Sequence, residues 1–475
     1  MLFPTLAFAV FFLIVFLGDR LLPTRARAGW LLLASLFFYF LWLPPYLLLL
    51  LADIGVNYLF LRRMLYHSAQ GGESAKLAAR RWLIASIVFT VGILAVFKYA
   101  AFLLGIAGPF AALLGGEAPS VAEILLPLGI SFYSFQLIAL HVDVYRGELA
   151  PPRNLARYAL FVCFFPQLIA GPILRGRELL PQIEEGGRPT ADRNRRGIWL
   201  ITAGLLKKVV FGDFLLAPLV DAAYGNPGVI SAPLHLVATY AFAFQIYFDF
   251  SGYTDMARGI ALLLGYELPL NFEEPYLSRN PTEFWRRWHM TLSRWLRDYL
   301  YIPLGGNRKG GMRTTINLFL TMLLGGLWHG AGWNFVIWGG LHGVLLSVHR
   351  PMRSRRDPEA KLVLGDWWRI FLCFHVVTFL WIFFRASTFM DAIIVIETIL
   401  FGNWNVAMPV WGFLLCALAA ALHFLERAWR PRVMAARKRS AGIGGTIAEG
   451  LVFGVVLALV VAASGRGAEF IYFQF

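Results

Sequence analysis

Residues Leu323–Phe335, LLGGLWHGAGWNF, place His329 between two apolar runs, at positions 314–331 and 333–349. Each run has about the 17 to 25 residues that a helix needs to cross a hydrocarbon core. A histidine is costly to ionise inside a bilayer, so an imidazole at that depth is more often functional than structural. The stretch predicts a membrane-embedded helical hairpin with a neutral, proton-accepting side chain at its turn.

The composition of the whole chain agrees with a membrane location. Of 475 residues, 58% are hydrophobic and only 15% are charged, with a mean hydropathy of +0.63. These values differ from those of a soluble globular chain. The formal charge of +15 lies in short segments between apolar runs and not along one basic face, which argues against a nucleic-acid partner.

The apolar runs form many candidate spans, which we assign to one integral domain, residues 1–475. They predict an all-α, polytopic membrane protein with about 11 to 12 transmembrane helices. The run 155–173 is shorter and is broken by Pro166 and Gly171-Pro172, which indicates a re-entrant segment. Besides the two runs around His329, the candidate spans lie near residues 2–18, 30–43, 46–61, 83–108, 124–144, 197–222, 233–250, 369–388, 407–426 and 443–464.

Positive charge alternates between successive loops. The loops 109–123, 223–232 and 389–406 hold no Arg or Lys. Because cytoplasmic loops are enriched in these residues, the pattern predicts that both termini are extracytoplasmic. The first run lacks a basic segment before it, so we expect it to stay as an anchor and not to be cleaved as a signal peptide. Most basic residues lie in loops 19–29, 62–82, 145–158, 174–196, 266–313, 350–368 and 427–442.

A second informative stretch is Asn280–Leu300, NPTEFWRRWHMTLSRWLRDYL. Asn280 as N-cap, Pro281 at the first helical position and Glu283 at the third predict a helix start. At about 100° per residue, an apolar and a basic face separate, which is typical of one helix lying in the membrane interface. The apolar face holds Trp285, Trp288, Leu292, Trp295, Leu296 and Tyr299, and the basic face holds Arg286, Arg287, Arg294 and Arg297.

The histidines also have structural interpretations. His289 falls on the apolar side of the interfacial helix, where it either serves a site or is hydrogen-bonded within a Trp-rich seam. His329 has an alternative packing role at a turn between Gly-rich segments, and for His342 and His349 packing is favoured. The residues suggest no metal site, since Cys163, Cys373 and Cys416 lack CxxC spacing.

A polar break is predicted within the apolar run that begins at residue 233. Asp249 and Asp255 flank Ser251-Gly252-Tyr253. Irregular backbone at membrane depth is tolerated only where it is buried in protein or lines a cavity. We therefore take Tyr253 and Asp255 as secondary candidates for substrate binding.

The chain resembles the membrane-bound O-acyltransferases, and within them the bacterial alginate O-acetylation branch. The order of several motifs carries the resemblance, together with Phe284–His289, Arg297–Gly306 and the His329 segment. The other motifs are LPLGISFYSFQ at 126–136, FFPQLIAGPI at 164–173, YFDFSGYTDMA at 247–257 and FIYFQF at 470–475.

The resemblance implies a helical, funnel-shaped enzyme. His329 matches the active-site histidine of the family, and His289 matches the second histidine of the bacterial branch. It further implies acetyl-CoA as an acyl-donor substrate from the cytosol, with no permanently bound cofactor and no metal. Acyl transfer from a thioester to a hydroxyl requires a base, and neutral histidine is the commonest one. We assign His329 as the base and His289 to positioning or charge stabilisation.

The neighbouring polar residues complete the predicted site. Trp328 and Asn334 flank His329 and are candidates for substrate binding, as are Arg286 and Arg297. The basic cluster, which also includes Arg287, Arg294, Arg308 and Lys309, has two interpretations. It attracts the phosphates of coenzyme A, or it contacts anionic lipid headgroups.

Three classes of function are compatible with these residues. The favoured one is acetyl transfer across a bacterial inner membrane to an extracytoplasmic polysaccharide, with membrane lipid and a periplasmic acetyltransferase or acceptor protein as partners. Related alternatives are D-alanyl transfer to teichoic acid and O-acetylation of peptidoglycan. A transporter with a proton-relay histidine is disfavoured, because no pair of Gly/Pro-interrupted spans in related halves is found.

Overall fold

The computed structural model describes residues 3–113, 126–350, 363–436 and 443–464, and every regular element in these ranges is a helix. The predicted all-α class is confirmed. The chain forms two compact units, Met1–Ile201 with Met256–Pro269, and Thr202–Asp255 with Leu270–Phe475. The assignment of one integral domain stays a prediction. The terminal motif at 470–475 lies outside the described residues.

The first unit contains helices α1 to α9 and most of α10. A buried polar chain links several of them: Asn57 Oδ1 accepts from Ser86 Oγ at 2.9 Å, and Ser86 Oγ lies 2.5 Å from His141 Nδ1. The bounds are α1 Leu6–Leu21, α2 Thr24–Phe40, α3 Pro44–Gln70, α4 Glu73–Leu94, a π-helical turn Ala95–Tyr99, α5 Ala100–Leu113, α6 Ile130–Tyr145, α7 Leu155–Cys163, α8 Phe165–Leu168, α9 Gly176–Glu185 and α10 Ala191–Leu205.

The second unit carries the elements that hold the candidate site. After the end of α10 it contains a π-helical segment, Leu206–Leu216, followed by α11 Ala217–Tyr224, a 3₁₀ turn Pro227–Val229, α12 Ala232–Leu263, a 3₁₀ turn Pro275–Leu277, α13 Pro281–Arg287, α14 Met290–Leu296, a π-helical turn Arg297–Tyr301, α15 Gly310–His329, α16 Trp333–His349, α17 Leu364–Arg385, α18 Phe389–Phe401, α19 Val410–Ala436 and α20 Ile443–Ala463. The last residues of α12, from Met256, belong to the first unit.

Long apolar helices identify a membrane protein. Within the described ranges, four helices are long and apolar enough to cross a bilayer: Pro44–Gln70, Glu73–Ala107, Leu364–Arg385 and Val410–Arg427. They agree with four of the predicted spans. The larger number of spans, the re-entrant segment at 155–173 and the central funnel stay predictions.

Two predicted loops are largely helical. Helix α3 continues through the predicted loop 62–82 to Gln70, and α4 begins at Glu73, so only Gly71 and Gly72 connect them. The loop 389–406 contains α18, which is capped at Thr388 by a reciprocal pair with Asp391. Arg and Lys are good helix formers, so a basic cluster marks a membrane boundary without ending the helix there.

Candidate active site

The hairpin predicted around His329 is present. Helix α15 ends at His329 and α16 begins at Trp333. Two glycines allow the helices to touch: a Cβ on Gly326 would lie 2.3 Å from the Phe335 carbonyl oxygen, and one on Gly339 would lie 2.5 Å from that of Met322. Such close backbone approach is how membrane helices pack without large side chains. It fixes the position of His329 at the end of α15.

Aromatic rings enclose the His329 imidazole. Its ring centroid lies 5.0 Å from that of Trp328, 5.1 Å from Trp338 and 5.2 Å from Phe384. The residue is only 3% exposed. Removal from water disfavours a charged ring, so this enclosure favours the neutral imidazole that a general base must present.

His289 does not lie on one continuous interfacial helix, and that part of the prediction is wrong. Helix α13 ends at Arg287, α14 begins at Met290, and His289 adopts a left-handed conformation with φ of 42°. The cause is a tertiary contact with a preceding loop: the Met290 N–H donates to the Asn271 carbonyl at 2.9 Å. A non-glycine residue in this conformation is strained and persists only where its surroundings hold it.

Asn271 also orients the His289 ring. Its Oδ1 lies 3.2 Å from His289 Nδ1 and accepts from the Thr291 N–H at 3.2 Å and from Thr291 Oγ1 at 2.9 Å. An amide oxygen only accepts, so His289 Nδ1 carries a hydrogen. In the neutral ring Nε2 is then the basic nitrogen.

The structure brings the two predicted histidines together. The ring centroids of His289 and His329 are 6.5 Å apart, with Trp328 6.0 Å from His289 and Phe250 4.8 Å from it. His289 is completely buried. Two neutral imidazoles within one aromatic enclosure form a site where a hydroxyl proton can be accepted away from water.

Helix α13 begins with the predicted cap, but one arginine of the predicted basic face is buried. The Asn280 Oδ1 accepts from the Glu283 N–H at 2.9 Å. Glu283 forms ion pairs with Arg279 at 2.9 Å and with Arg287 at 3.1 Å. Arg287 is therefore buried, at 7% exposure, and does not extend toward phosphates or headgroups as predicted.

The two arginines predicted to bind substrate are exposed. Arg286 and Arg297 lie on the surface of the α13–α14 segment, unlike the buried histidines. Arg297 pairs with Asp298 at 2.6 Å, and this carboxylate raises the pKa of the guanidinium above its usual range. Their part in substrate binding stays a prediction.

Asn334 and Trp328 take different positions beside His329. The Asn334 Nδ2 donates to the Ala386 carbonyl at 2.9 Å and so ties the start of α16 to the end of α17. Trp328 instead packs against both histidines. This placement gives Asn334 a packing role, and substrate contact by either residue stays a prediction.

The break predicted at Ser251-Gly252-Tyr253 is absent. Helix α12 continues through it from Ala232 to Leu263. Gly252 allows close helix packing, because a Cβ there would lie 2.7 Å from the Gly204 carbonyl oxygen and 2.9 Å from the backbone nitrogen of Lys208. Tyr253 is fully buried, and Asp255 forms an ion pair with Lys207 at 2.9 Å. Substrate binding by these two residues stays a prediction.

Two buried ionic clusters beside α12 escaped the sequence analysis. Lys207 pairs with Asp255 and with Glu426 at 2.6 Å. Lys208 pairs with Asp213 at 2.7 Å and with Asp249 at 2.6 Å. Adjacent lysines inside the apolar run 197–222 were the available signal, since charges at membrane depth are costly and usually paired.

Comparison with known proteins identifies the class of enzyme. The model described as MBOAT, membrane-bound O-acyltransferase family, matches residues 119–390, more than half of the chain, and this range contains both histidines. The chain belongs to the membrane-bound O-acyltransferase family. This confirms the resemblance inferred from the motifs, and the protein is an O-acyltransferase.

Individual relatives carry more specific names. The chain is 42% identical over 409 residues, covering 86% of this chain and 80% of the relative, to "Probable alginate O-acetylase AlgI" of Azotobacter vinelandii. It is 38% identical over 460 residues, covering 90% and 84%, to "Peptidoglycan O-acetyltransferase" of Helicobacter pylori. It is 31% identical over 239 residues, covering 47% and 56%, to "Teichoic acid D-alanyltransferase" of Streptococcus thermophilus.

Proposed function

We propose that this acyltransferase moves acetyl groups from cytosolic acetyl-CoA to a polysaccharide outside a bacterial cytoplasmic membrane. The paired imidazoles of His289 and His329, 6.5 Å apart in an aromatic enclosure, are the observation that carries the proposal. The names of the two O-acetylating relatives support the acetyl group, and the alginate name supports a polysaccharide acceptor.

The histidines have distinct tasks in this mechanism. The acceptor hydroxyl oxygen attacks the thioester carbonyl carbon while His329 takes the hydroxyl proton. The carbon–sulfur bond then breaks, and the proton passes to the departing thiolate of coenzyme A. His289 donates from Nδ1–H to Asn271, and this bond fixes the orientation of the ring. Through Nε2, His289 positions the reactants or stabilises charge.

A basic cavity offers a place for the donor. About 420 Å³ is enclosed beside the C-terminal end of α16 and the start of α13, with Arg279, Arg369 and His349 among its lining residues. The N-terminal part of the same helix carries Trp338, which packs against His329. Arg279 is held by Glu283, as Arg287 is, so the exposed guanidinium of Arg369 is the one that we assign to the phosphates. We place the phosphates of acetyl-CoA here, with Arg286 and Arg297 at the surface either guiding them or contacting lipid headgroups.

The acceptor could differ within the same chemistry. Peptidoglycan is the alternative with support, because the relative of that name aligns over 90% of this chain. D-alanyl transfer has weaker support, since the teichoic-acid relative aligns over only 47%. A periplasmic acetyltransferase or acceptor protein is the partner that would complete transfer to the glycan.

The test measures transfer of labelled acetyl from acetyl-CoA by purified protein, with polysaccharide and periplasmic partner supplied. We expect His329→Ala to lower turnover by about 10²- to 10⁴-fold, the value of general-base assistance. His329→Gln should be equally inactive because an amide accepts no proton at neutral pH. His289→Ala should also impair turnover.

The matched control is His67→Ala, which removes a partly exposed histidine at the end of α3. It should transfer acetyl at the wild-type rate. Near wild-type transfer by monodisperse His329→Ala protein would show that His329 is structural and that the mechanism is wrong. Transfer of D-alanine in place of acetyl would overturn the proposed donor but not the role of the histidines.

A further inference from the structure

Helix α19 begins after the range that the family model matches, which ends at residue 390, yet it belongs to the same compact unit as His289 and His329. Its buried positions recur every three or four residues, so they form one face of the helix. That face carries two polar side chains, which need partners because burial removes them from water. Within residues 410–427 the buried positions are Gly412, Cys416, Ala419, His423 and Glu426.

His423 contacts the loop that carries Asn271. It is only 1% exposed, and its Nε2 accepts from the Tyr276 backbone N–H at 3.3 Å. The two rings also pack together, with centroids 5.4 Å apart. Nearer to Asn271, the Glu273 N–H donates to the Arg287 carbonyl at 3.0 Å. The loop is therefore held between α19 and the end of α13.

One residue between these two contacts is strained. Glu274 has φ of 39°, in the left-handed region, and it lies between the N–H groups of Glu273 and Tyr276. A non-glycine residue keeps this conformation only where its surroundings hold it. The ring of Pro275 restricts the next backbone angle, so relaxation would move the residues before Glu274. Asn271 lies three residues earlier and would move with them.

Glu426 fixes the helix that carries His423. Its carboxylate accepts from the Tyr247 hydroxyl at 2.7 Å and pairs with Lys207 at 2.6 Å. Tyr247 lies on α12, and its ring centroid is 4.6 Å from that of His423. Hydrogen bonds to a charged group are among the stronger ones. Helix α19 is thereby tied to α12 one turn beyond His423, which keeps the imidazole against the loop.

We propose that His423 is a positioning residue for the acyl transfer. Its bond to the Tyr276 N–H holds the strained loop, and in that form of the loop Asn271 orients the His289 imidazole. The inference rests on the proposed function, because its main readout is acetyl transfer. It extends that function by giving a part in the reaction to α19.

Three substitutions at position 423 test the bond. His423→Phe keeps a ring without an acceptor. In His423→Gln the amide oxygen reaches the place of imidazole Nε2, whereas in His423→Asn it reaches only the place of Nδ1. We expect the Phe and Asn variants to lose about 10- to 100-fold in kcat, since a small displacement of a catalytic group has that effect. KM for acetyl-CoA should change little, and His423→Gln should retain most of the activity.

A double substitution tests whether the effect passes through Asn271. In Asn271→Leu protein the His289 ring has already lost its acceptor, so adding His423→Phe should lower kcat by at most about twofold more. Cys416→Ala is the matched control on the buried face of α19, where the thiol contacts the Val237 carbonyl at 3.8 Å. It should transfer acetyl at the wild-type rate.

Hydrogen exchange of the backbone gives a readout that does not depend on acetyl transfer. In a peptide that spans residues 271–277, the Tyr276 amide should exchange faster in the His423→Phe protein than in the His423→Gln protein. Mass spectrometry of the purified full-length protein measures this difference. If His423→Phe is not monodisperse, His423→Asn takes its place in every comparison.

Three outcomes would overturn the inference. They are a wild-type kcat in the Phe and Asn variants, equal losses in the Asn and Gln variants, and losses that multiply in full when His423→Phe is combined with Asn271→Leu. Equal exchange of the Tyr276 amide in the Phe and Gln variants would contradict the contact itself. All four leave acetyl transfer by the wild-type protein intact, whereas a wild-type protein without acetyl transfer would overturn the proposed function.

Discussion

At the scale of single residues, the site depends on one strained position. Glu274 and His289 are the non-glycine residues with positive φ in the described ranges, at 39° and 42°. A residue in this region costs on the order of 1 to 3 kcal/mol unless its surroundings compensate. At His289 the compensation comes from Asn271, which binds the following backbone N–H groups as well as the imidazole. Asn271 is therefore a positioning residue for His289.

This role makes a specific prediction for Asn271. Replacement by leucine removes the acceptor for His289 Nδ1–H, so the ring loses its fixed tautomer and orientation. We expect kcat to fall by about 10²-fold, the lower range for loss of acid–base assistance, with KM for acetyl-CoA little changed. Steady-state acetyl transfer measures both constants.

Aspartate at the same position provides the comparison. Asn271→Asp keeps an accepting oxygen and should retain much more activity than Asn271→Leu. A thermal unfolding curve controls for stability, since a buried donor left without its acceptor costs about 1 to 3 kcal/mol. If both variants fall equally in kcat, orientation of His289 by an acceptor is not what Asn271 contributes.

At the scale of elements, the α15–α16 hairpin positions His329 through backbone contact. Gly326 lies against Phe335 and Gly339, and Gly339 lies against Met322. Interfaces between membrane helices use small residues in this way because packing, and not hydrophobic burial, drives their association. The hairpin is therefore sensitive to a single added methyl group.

Gly339→Ala tests this contact. Its Cβ would lie 2.5 Å from the Met322 carbonyl oxygen and 2.9 Å from Gly326 Cα, so the helices must separate. We expect a loss of roughly 1 to 3 kcal/mol in stability, as for overpacked cores, together with reduced acetyl transfer as His329 moves. Thermal unfolding in detergent and the transfer assay report the two effects.

The neighbouring glycine is a matched control. At Gly340 the nearest atom to an added Cβ is Leu323 Cδ1 at 3.7 Å, which is ordinary contact. Gly340→Ala brings the same gain in helix propensity and should be neutral or stabilising. Similar melting temperatures for the two alanine variants would contradict the importance of the close approach.

The sequence predicted elements where local pattern and tertiary environment agree. Apolar length located the α15–α16 hairpin and the spans in α3, α4, α17 and α19, and the Asn280 cap located the start of α13. It failed where a distant contact decides the backbone. Nothing in residues 280–300 indicates that Asn271 interrupts the helix at His289, and a glycine that permits helix contact at residue 252 looks the same in sequence as one that breaks a helix.

The sequence also predicted only part of the candidate site. Both histidines lie in one aromatic enclosure, as two side chains of one site must. Asn271 was missed because it lies in a loop with no periodic pattern, and Lys207 and Lys208 were missed although their charges stood inside an apolar run. Arg287 was misplaced because helical periodicity alone does not show that Glu283 pairs with it inside the protein.

At the scale of the whole molecule, the distribution of charge makes a prediction about sidedness. Basic residues cluster near Arg62 and Arg63, whereas loop 223–232 has none. The positive-inside rule places the first region in the cytosol and the second outside. The wild-type protein suits a cysteine-labelling test, because Cys163, Cys373 and Cys416 are all buried and should give little background.

The structure indicates where to place the cysteines. Gly71 and Gly186 lie in two of the basic loops but are poor labelling positions. Their φ values of 69° and 86° are conformations in which a cysteine would be strained. Ser68 is exposed in the last turn of α3, and Asn226 is exposed with a negative φ of −146°. With a membrane-impermeant maleimide on spheroplasts, Asn226→Cys should label at once, whereas Ser68→Cys should label only after permeabilisation.

The acetyl donor is proposed to enter from the side where Ser68 lies. Labelling of Ser68→Cys in intact spheroplasts with protection of Asn226→Cys would reverse the orientation and would contradict the proposed cytosolic entry of the acetyl donor.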